Sequence, residues 1–374
     1  MIALFVALAF LAPATFACLF YVVLTYLGRR RAIAIPLEPQ TAFVVLIPAH
    51  NEALSITETL RSVLDADYPA ALRRVVVVAD NCTDRTADVV REHGAEVLER
   101  HDLTLRGKGY ALAYALETIL PGRPDAVIVL DADCEVCPQL FRTFDAHLAA
   151  GCRAVQSAVL TRNPDAGPSG FASAVGNQMD NDTAAGKDRL GLRPPLRGNG
   201  MAFRRELLEC IPWRSYGLTE DAEYDDRLKA AGVRVQFAGT VHVRSEAPVR
   251  TQDLCQQRRR WRAALFVGRG LFTNWVESKP VVLAQLAITT VVVPFAAPQF
   301  IAWVAVLWLL TVIIYLRAAW CVGLTRSRGM MLLRMPWLIV RLLFVTIGGF
   351  SRGNSTWIRT RRSGELLLAE DVRK

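Results

Sequence analysis

Residues 126–133 read AVIVLDAD. An apolar run without alternation that stops at two acids is the pattern of a strand buried on both faces and ending at a polar site. Working outward, GKGYALAYALETI (107–119) and PQLFRTFDAHLAAG (138–151) flank it with helical spacing, and AVQSAVL (154–160) is a further apolar run. An earlier cycle has the same form: an apolar run at 42–47, helix-spaced ITETLRSVLDA (56–66), VVVVAD (75–80), then DRTADVVREHG with Gly94 as a helix stop. Strand and helix take turns, which predicts an α/β block with a mostly parallel sheet covered on both faces.

In such sheets ligands bind beyond the carboxyl ends of the strands. The residues standing there are PAHNE (48–52), DNCTD (80–84) and DAD (131–133). Acids and amides at three strand ends suit a polar, metal-bridged ligand; the competing reading is that each caps the following helix. Asp131 and Asp133 in particular present two carboxylates at one strand end, a shape that fits a hard cation holding water and phosphate oxygens. Cys134 and Cys137 form a CxxC without a second pair, which is poor support for zinc. Thr219, Glu220 and Asp221 open the helix-spaced AEYDDRLKAAG. They read either as ordinary helix-start chemistry or as a carboxylate held ionised by the helix end and pointing into a cleft as a general base. Gln257, Arg260 and Trp261 fall at i, i+3 and i+4, one helical face. An Arg beside a Trp there clamps a pyrophosphate while the indole stacks on a sugar ring, or the stretch is a basic helix at a membrane surface.

The composition adds the second half of the expectation. Of 374 residues 52% are hydrophobic and 21% charged, too apolar for a soluble enzyme of this length. The net charge is +9, and the 44 basic residues include only five Lys, leaving Arg to meet phosphates, anionic headgroups or nucleic acid. Eight scattered Cys suggest no disulfide framework. Residues 2–27 carry no charge and make enough helix to cross a hydrocarbon core of roughly 30 Å. With Arg29, Arg30 and Arg31 following, residues 1–28 read as a signal anchor whose N-terminus lies outside. Residues 280–323 read as a transmembrane hairpin broken near Pro294 and Pro298, with Lys279, Arg317, Arg326 and Arg328 on the inner side. Residues 331–350 contain Arg334 and Arg341 on one face, so an interfacial helix is expected, with spanning as the alternative. Residues 351–374 form a basic cytoplasmic tail, and 40–275 a single soluble block.

LIPAHNE, VVVVADNCTDRT, GKGYAL, DADC, GNGMAFRRELL, TED and QRRRW occur in the order and near the spacing of membrane-embedded family 2 glycosyltransferases, and the chain resembles that family over about residues 40–265. The family includes cellulose, hyaluronan and poly-N-acetylglucosamine synthases and ceramide glucosyltransferase, and TWIRTRR (356–362) resembles the segment these enzymes place after an interfacial helix. The resemblance implies a Rossmann-like GT-A fold, a nucleotide-sugar donor, expected to be UDP-linked, and Mg²⁺ or Mn²⁺. It sets Pro48, His50, Asn51, Glu52 and Asp80 along the nucleoside pocket and Lys108 near base and diphosphate. It assigns Asp131 to nucleotide and metal, Asp133 to metal, Arg260 to the leaving diphosphate and Asp221 to the base that deprotonates the acceptor. Asn199, Glu220, Gln257 and Trp261 fall on the acceptor side.

A single base without a second nucleophilic carboxylate implies one displacement, hence inversion. Three crossings hardly enclose a polymer channel, so the expected acceptor is a lipid or lipid-linked saccharide at the cytoplasmic face of the inner membrane, with processive polysaccharide synthesis as the alternative. A nucleic-acid partner is not expected, since the basic residues cluster beside apolar segments and no RNA-binding aromatic motif is present.

Overall fold

The Val-rich runs bury alternate side chains on opposite faces of one sheet, because a strand's side chains point to its two sides in turn. Val45, Ile47, Val75, Val77 and Ile128 join one core, while Val44, Leu46, Val76, Val78, Val127 and Val129 join another. A computed structural model describes residues 1–27, 34–36, 38–268 and 275–348, and leaves the side chains of 27, 260, 262–268 and 346–348 outside the description. Arg29 to Arg31, the Arg260 guanidinium and the 351–374 tail therefore lie outside the described residues.

The strands are β1 (Phe43–Ala49), β2 (Arg73–Asp80), β3 (Glu96–Arg100), β4 (Ala126–Val129), β5 (Cys134–Val136), β6 (Ala154–Thr161), β7 (Met201–Arg204) and β8 (Val235–Ser245). They form one sheet in the order β3-β2-β1-β4-β7-β6-β8-β5. The pairs β3-β2, β2-β1, β1-β4 and β6-β8 are parallel; β7 and β5 pair antiparallel with their neighbours. Helices α2 (Ile56–Leu64), α3 (Thr86–Glu92), α4 (Lys108–Ile119) and α5 (Leu140–Ala149) alternate with the strands. The first core takes Ile56 and Leu60 of α2 with Phe141 and Phe144 of α5; the second takes Leu112 and Leu116 of α4. Burying a Leu or Phe side chain contributes roughly 1.5–3 kcal/mol, so sandwiching the sheet this way is the main stabilising term.

By contacts the chain divides into two units. The first holds the sheet and takes residues 34–162 and 187–246; the second takes 1–27, 163–186 and 247–348. Residues 163–186 and 247–268, inside the stretch that reads as one soluble block, thus belong with the apolar helices. The helices of the second unit are α1 (Ile2–Leu27), α6 (Pro168–Arg189), α9 (Thr251–Gly268), α10 (Lys279–Ala296), α11 (Ile301–Val322) and α12 (Arg326–Gly348); α7 (Arg205–Cys210) and α8 (Glu220–Ala230) complete the first unit. Among the described residues, three helical segments are long and apolar enough to cross a membrane: Ile2–Tyr26, Lys279–Ala296 and Pro298–Val322.

Within this second unit, three of the cations that mark the hairpin's inner side are paired. Lys279 binds Asp180 at 2.5 Å, Arg317 binds Asp182, and Arg328 binds Asp165 at 2.7 Å. Gly186 lets α6 approach α1, since a Cβ there would lie 2.2 Å from the Leu24 carbonyl oxygen. The α12 helix runs through Pro336 and leaves Met330, Leu333, Trp337, Val340 and Phe344 exposed at coiled-coil spacing.

Candidate active site

The first unit gathers its chemistry where β4 ends. Asp131 stands just past Val129 and Leu130, and Lys108 is the first residue of α4 after Gly107, whose φ of +123° only glycine adopts easily. Lys108 Nζ donates to Asp131 Oδ1 at 2.6 Å and to the Gly198 carbonyl at 2.6 Å, and lies 3.4 Å from Glu220 Oε1. Burial works against the ammonium, yet Asp131 and Glu220 outweigh it and the Lys108 pKa is raised. Glu220 is pushed up to about 7, first by burial and then by the Asp221 charge, with Lys108 opposing.

Glu220 and Asp221 open α8, where the helix end favours carboxylates. Thr219 makes no side-chain capping bond, so the acids are not simply the trailing part of a cap. Asp221 lies against Gly198: at φ +77° a Cβ on that glycine would meet Asp221 Oδ2 at 3.1 Å. The 193–200 loop is pinned from both sides. Leu196 N donates to Asp225 Oδ1 at 2.9 Å, Arg197 N donates to Gln156 Oε1 at 2.9 Å, and Gln156 Nε2 donates to the Asn199 carbonyl at 2.8 Å.

Asn199 is buried, accepts from the Asp131 backbone N–H at 3.1 Å and donates to Ser245 Oγ at 2.9 Å. Its oxygen thus braces the Asp131 turn while its amino group is anchored on β8. Asp133 is buried beside it. Two carboxylates two residues apart are a hard donor set, and among the described residues no three His, Cys, Asp or Glu gather into a cage. That fits an ion which completes its shell with water and phosphate oxygens, as Mg²⁺ and Mn²⁺ do, rather than a protein-caged metal. The Cys134 and Cys137 thiols are free.

The neighbouring strand ends form a second group. Pro48 lies on β1 beyond its last β4 partner, Leu46, where no ladder bond to β4 is needed. His50 Nδ1 pairs with the Asp80 carbonyl at 2.7 Å. Asn51, at φ +55°, accepts from Thr83 N at 2.7 Å and ties the two loops together. Glu52 is buried; its N–H donates to Thr86 Oγ1 at 2.9 Å and its carboxylate accepts from Ser55 Oγ at 2.5 Å. Asp80 is buried in an ion pair with Arg100 at 2.6 Å. The sequence reading singles out neither Arg100 nor Gln156 or Asp225, because their partners are distant in the chain. In the second unit, Gln257 and Trp261 lie on α9, and Arg258 stacks its guanidinium 4.4 Å above the Trp261 ring.

A family model described as glycosyltransferase like family 2 matches residues 39–264. The chain belongs to that family. Curated relatives include a beta-monoglucosyldiacylglycerol synthase of Synechocystis sp., 27% identical over 65% of this chain and 51% of its own length. Another is the probable glycosyltransferase YdaM of Bacillus subtilis, 25% identical over 58% of this chain and 53% of its own. The chain thus spans about half the length of the curated relatives it matches. Among solved structures, a mannosyltransferase of Pyrobaculum calidifontis in complex with GDP-Man and Mn²⁺ aligns over 91% of this chain and 97% of its own at a TM-score of 0.55 and 20% identity, which shows a shared GT-A fold.

Proposed function

We propose that this chain is an inverting glycosyltransferase that moves one sugar, or very few, from a nucleotide-sugar donor to a lipid or lipid-linked saccharide at the cytoplasmic membrane face. The observation that carries the reading is the Lys108, Asp131, Glu220 and Asp221 cluster at the strand ends of a family 2 chain. Asp131 and Asp133 would hold the divalent cation, Mg²⁺ or Mn²⁺, which supplies positive charge to a leaving diphosphate. Lys108 and Arg260 add cationic charge toward the same diphosphate, and Asp221 takes the proton of the acceptor hydroxyl as the new bond forms. One base acting on one displacement inverts the anomeric carbon. Pro48, His50, Asn51, Glu52 and Asp80 serve the nucleoside side; Gln257 and Trp261 serve the acceptor.

The lipid acceptor is supported by the helices apolar enough to cross a membrane and by relatives named as beta-monoglucosyldiacylglycerol synthases in Synechocystis and Nostoc. Purified protein in lipid, given a panel of nucleotide sugars with and without membrane extract, tests it. Nucleoside diphosphate release with one discrete mass increment on an extracted lipid is expected. A ladder of long chains made by the protein alone would sink single transfer, and no release from any donor would sink the enzyme reading.

A further inference from the structure

Asp80 closes β2 at its carboxyl end, and its two oxygens are treated differently. Oδ1 accepts from Arg100 Nη1 at 2.6 Å and from Asn81 Nδ2 at 3.1 Å, both buried partners. Arg100 is itself held at its other hand, where Nη2 donates to the Leu105 carbonyl at 2.7 Å and to Asp102 Oδ2 at 3.3 Å. Anchored so, the guanidinium cannot swing across to serve both Asp80 oxygens. Oδ2 takes no hydrogen bond among the described residues and is not among the fully buried unpartnered atoms, so it keeps some access although Asp80 as a whole is buried.

We propose that Arg100 is a specificity-determining positioning residue, which by occupying Asp80 Oδ1 leaves one carboxylate oxygen for the donor's nucleobase and thereby favours uracil over guanine. This rests on the reading above that Asp80 lines the nucleoside pocket. A carboxylate only accepts hydrogen bonds, so it selects a base with an N–H on its pairing edge. Uracil offers one, N3–H, which a single oxygen satisfies. Guanine offers N1–H and its exocyclic amine side by side, a pair that needs both oxygens. With Oδ1 taken, the guanine amine would be desolvated without a partner, the kind of mismatch by which polar sites reject a near-isostere.

Titration calorimetry of the full-length protein in Mn²⁺-containing buffer, with UDP and with GDP, tests the assignment. Wild-type protein should favour UDP by about tenfold or more, the worth of one unmade hydrogen bond. Arg100→Met, which carries no donor, frees the carboxylate to offer both oxygens and should narrow the UDP-to-GDP ratio by about tenfold; Arg100→Lys, which keeps a charged donor on Oδ1, should hold it. A purely structural role would weaken both nucleotides together and leave their ratio unchanged, and that result overturns the proposal, as does a wild-type preference for GDP. Should Arg100→Met fail to fold, wild-type protein titrated with inosine diphosphate, which lacks the exocyclic amine of guanine, tests the same occupancy: tighter binding than GDP supports the role and binding equal to GDP overturns it. If Asp80→Ala leaves both affinities intact, the nucleoside reading of Asp80 falls and this assignment with it. Dependence on Asp80 with no effect of Arg100 overturns the role of Arg100 alone.

Discussion

Glu220 carries a displaced carboxyl at the candidate site, pushed up to about 7 by burial against the pull of Lys108. Because its pKa in the fold exceeds the ordinary value of 4.5, the folded state favours the protonated form. That contribution is complete below the unfolded pKa and is lost as pH rises through the folded one, a change on the order of 3 kcal/mol. In chelator-treated protein the melting temperature should therefore fall between pH 5 and pH 8, and Glu220→Gln should flatten the fall; an unaltered slope would remove Glu220 as its cause. Asp221 makes a different prediction, since Asn keeps its shape and removes its basicity. Transfer by Asp221→Asn should drop by at least ~10², the scale of a proton-transfer contribution, with nucleotide affinity nearly intact. Turnover at the wild-type level would move the base elsewhere. At Asp133 the readout is metal: Asp133→Ala should lose most of the divalent-dependent affinity for a nucleoside diphosphate, and calorimetry unchanged at saturating Mn²⁺ would refute the metal assignment.

Helix α6 shows how one element is tied down by chemistry that its own sequence does not advertise. It is amphipathic only weakly, yet Phe171, Val175 and Met179 pack against Tyr21, Ile314 and Ala318 within the second unit. Asp180 and Asp182 pair with Lys279 and Arg317 on the helices beside it. These cations, which read as marking the inner side of the hairpin, thus have protein partners, and the desolvation of each side chain is offset locally. The tightest point is Gly186 against the Leu24 carbonyl. Gly186→Val forces the helices apart at backbone level, so it should cost about 1–3 kcal/mol, the usual range for overpacking, and lower the melting temperature; a neutral variant would show that α6 can slide. Gly200 makes the same point in the sheet unit, where φ is +67° and a Cβ would lie 2.1 Å from Ser157 Oγ.

For the molecule as a whole, an apolar first helix and an apolar hairpin make an orientation testable. An N-terminal epitope tag should be reached by antibody on intact cells, whereas a tag in the exposed 103–105 turn should be reached only after permeabilisation; the reverse pattern would invert the proposed topology. The alternation of apolar runs and helix-spaced segments, the three apolar helices and the acids at 131, 133 and 221 were all legible in the linear chain, because each depends on local periodicity or on residues within a few positions. The short strands β3, β5 and β7 were not, since EVLER, CEV and MAFR carry too little pattern to separate them from loop. Nor were the partners: Arg100 meets Asp80 because β3 pairs with β2 in register, and Lys108 meets Asp131 and Glu220 because α4, β4 and α8 converge. The tertiary structure also decided that Asn199 braces a backbone turn and that Lys279, Arg317 and Arg328 face aspartates. Local pattern determines which residues are buried and which end a strand, but a charge's partner is set by whichever distant segment the packed sheet and helices bring within hydrogen-bond reach.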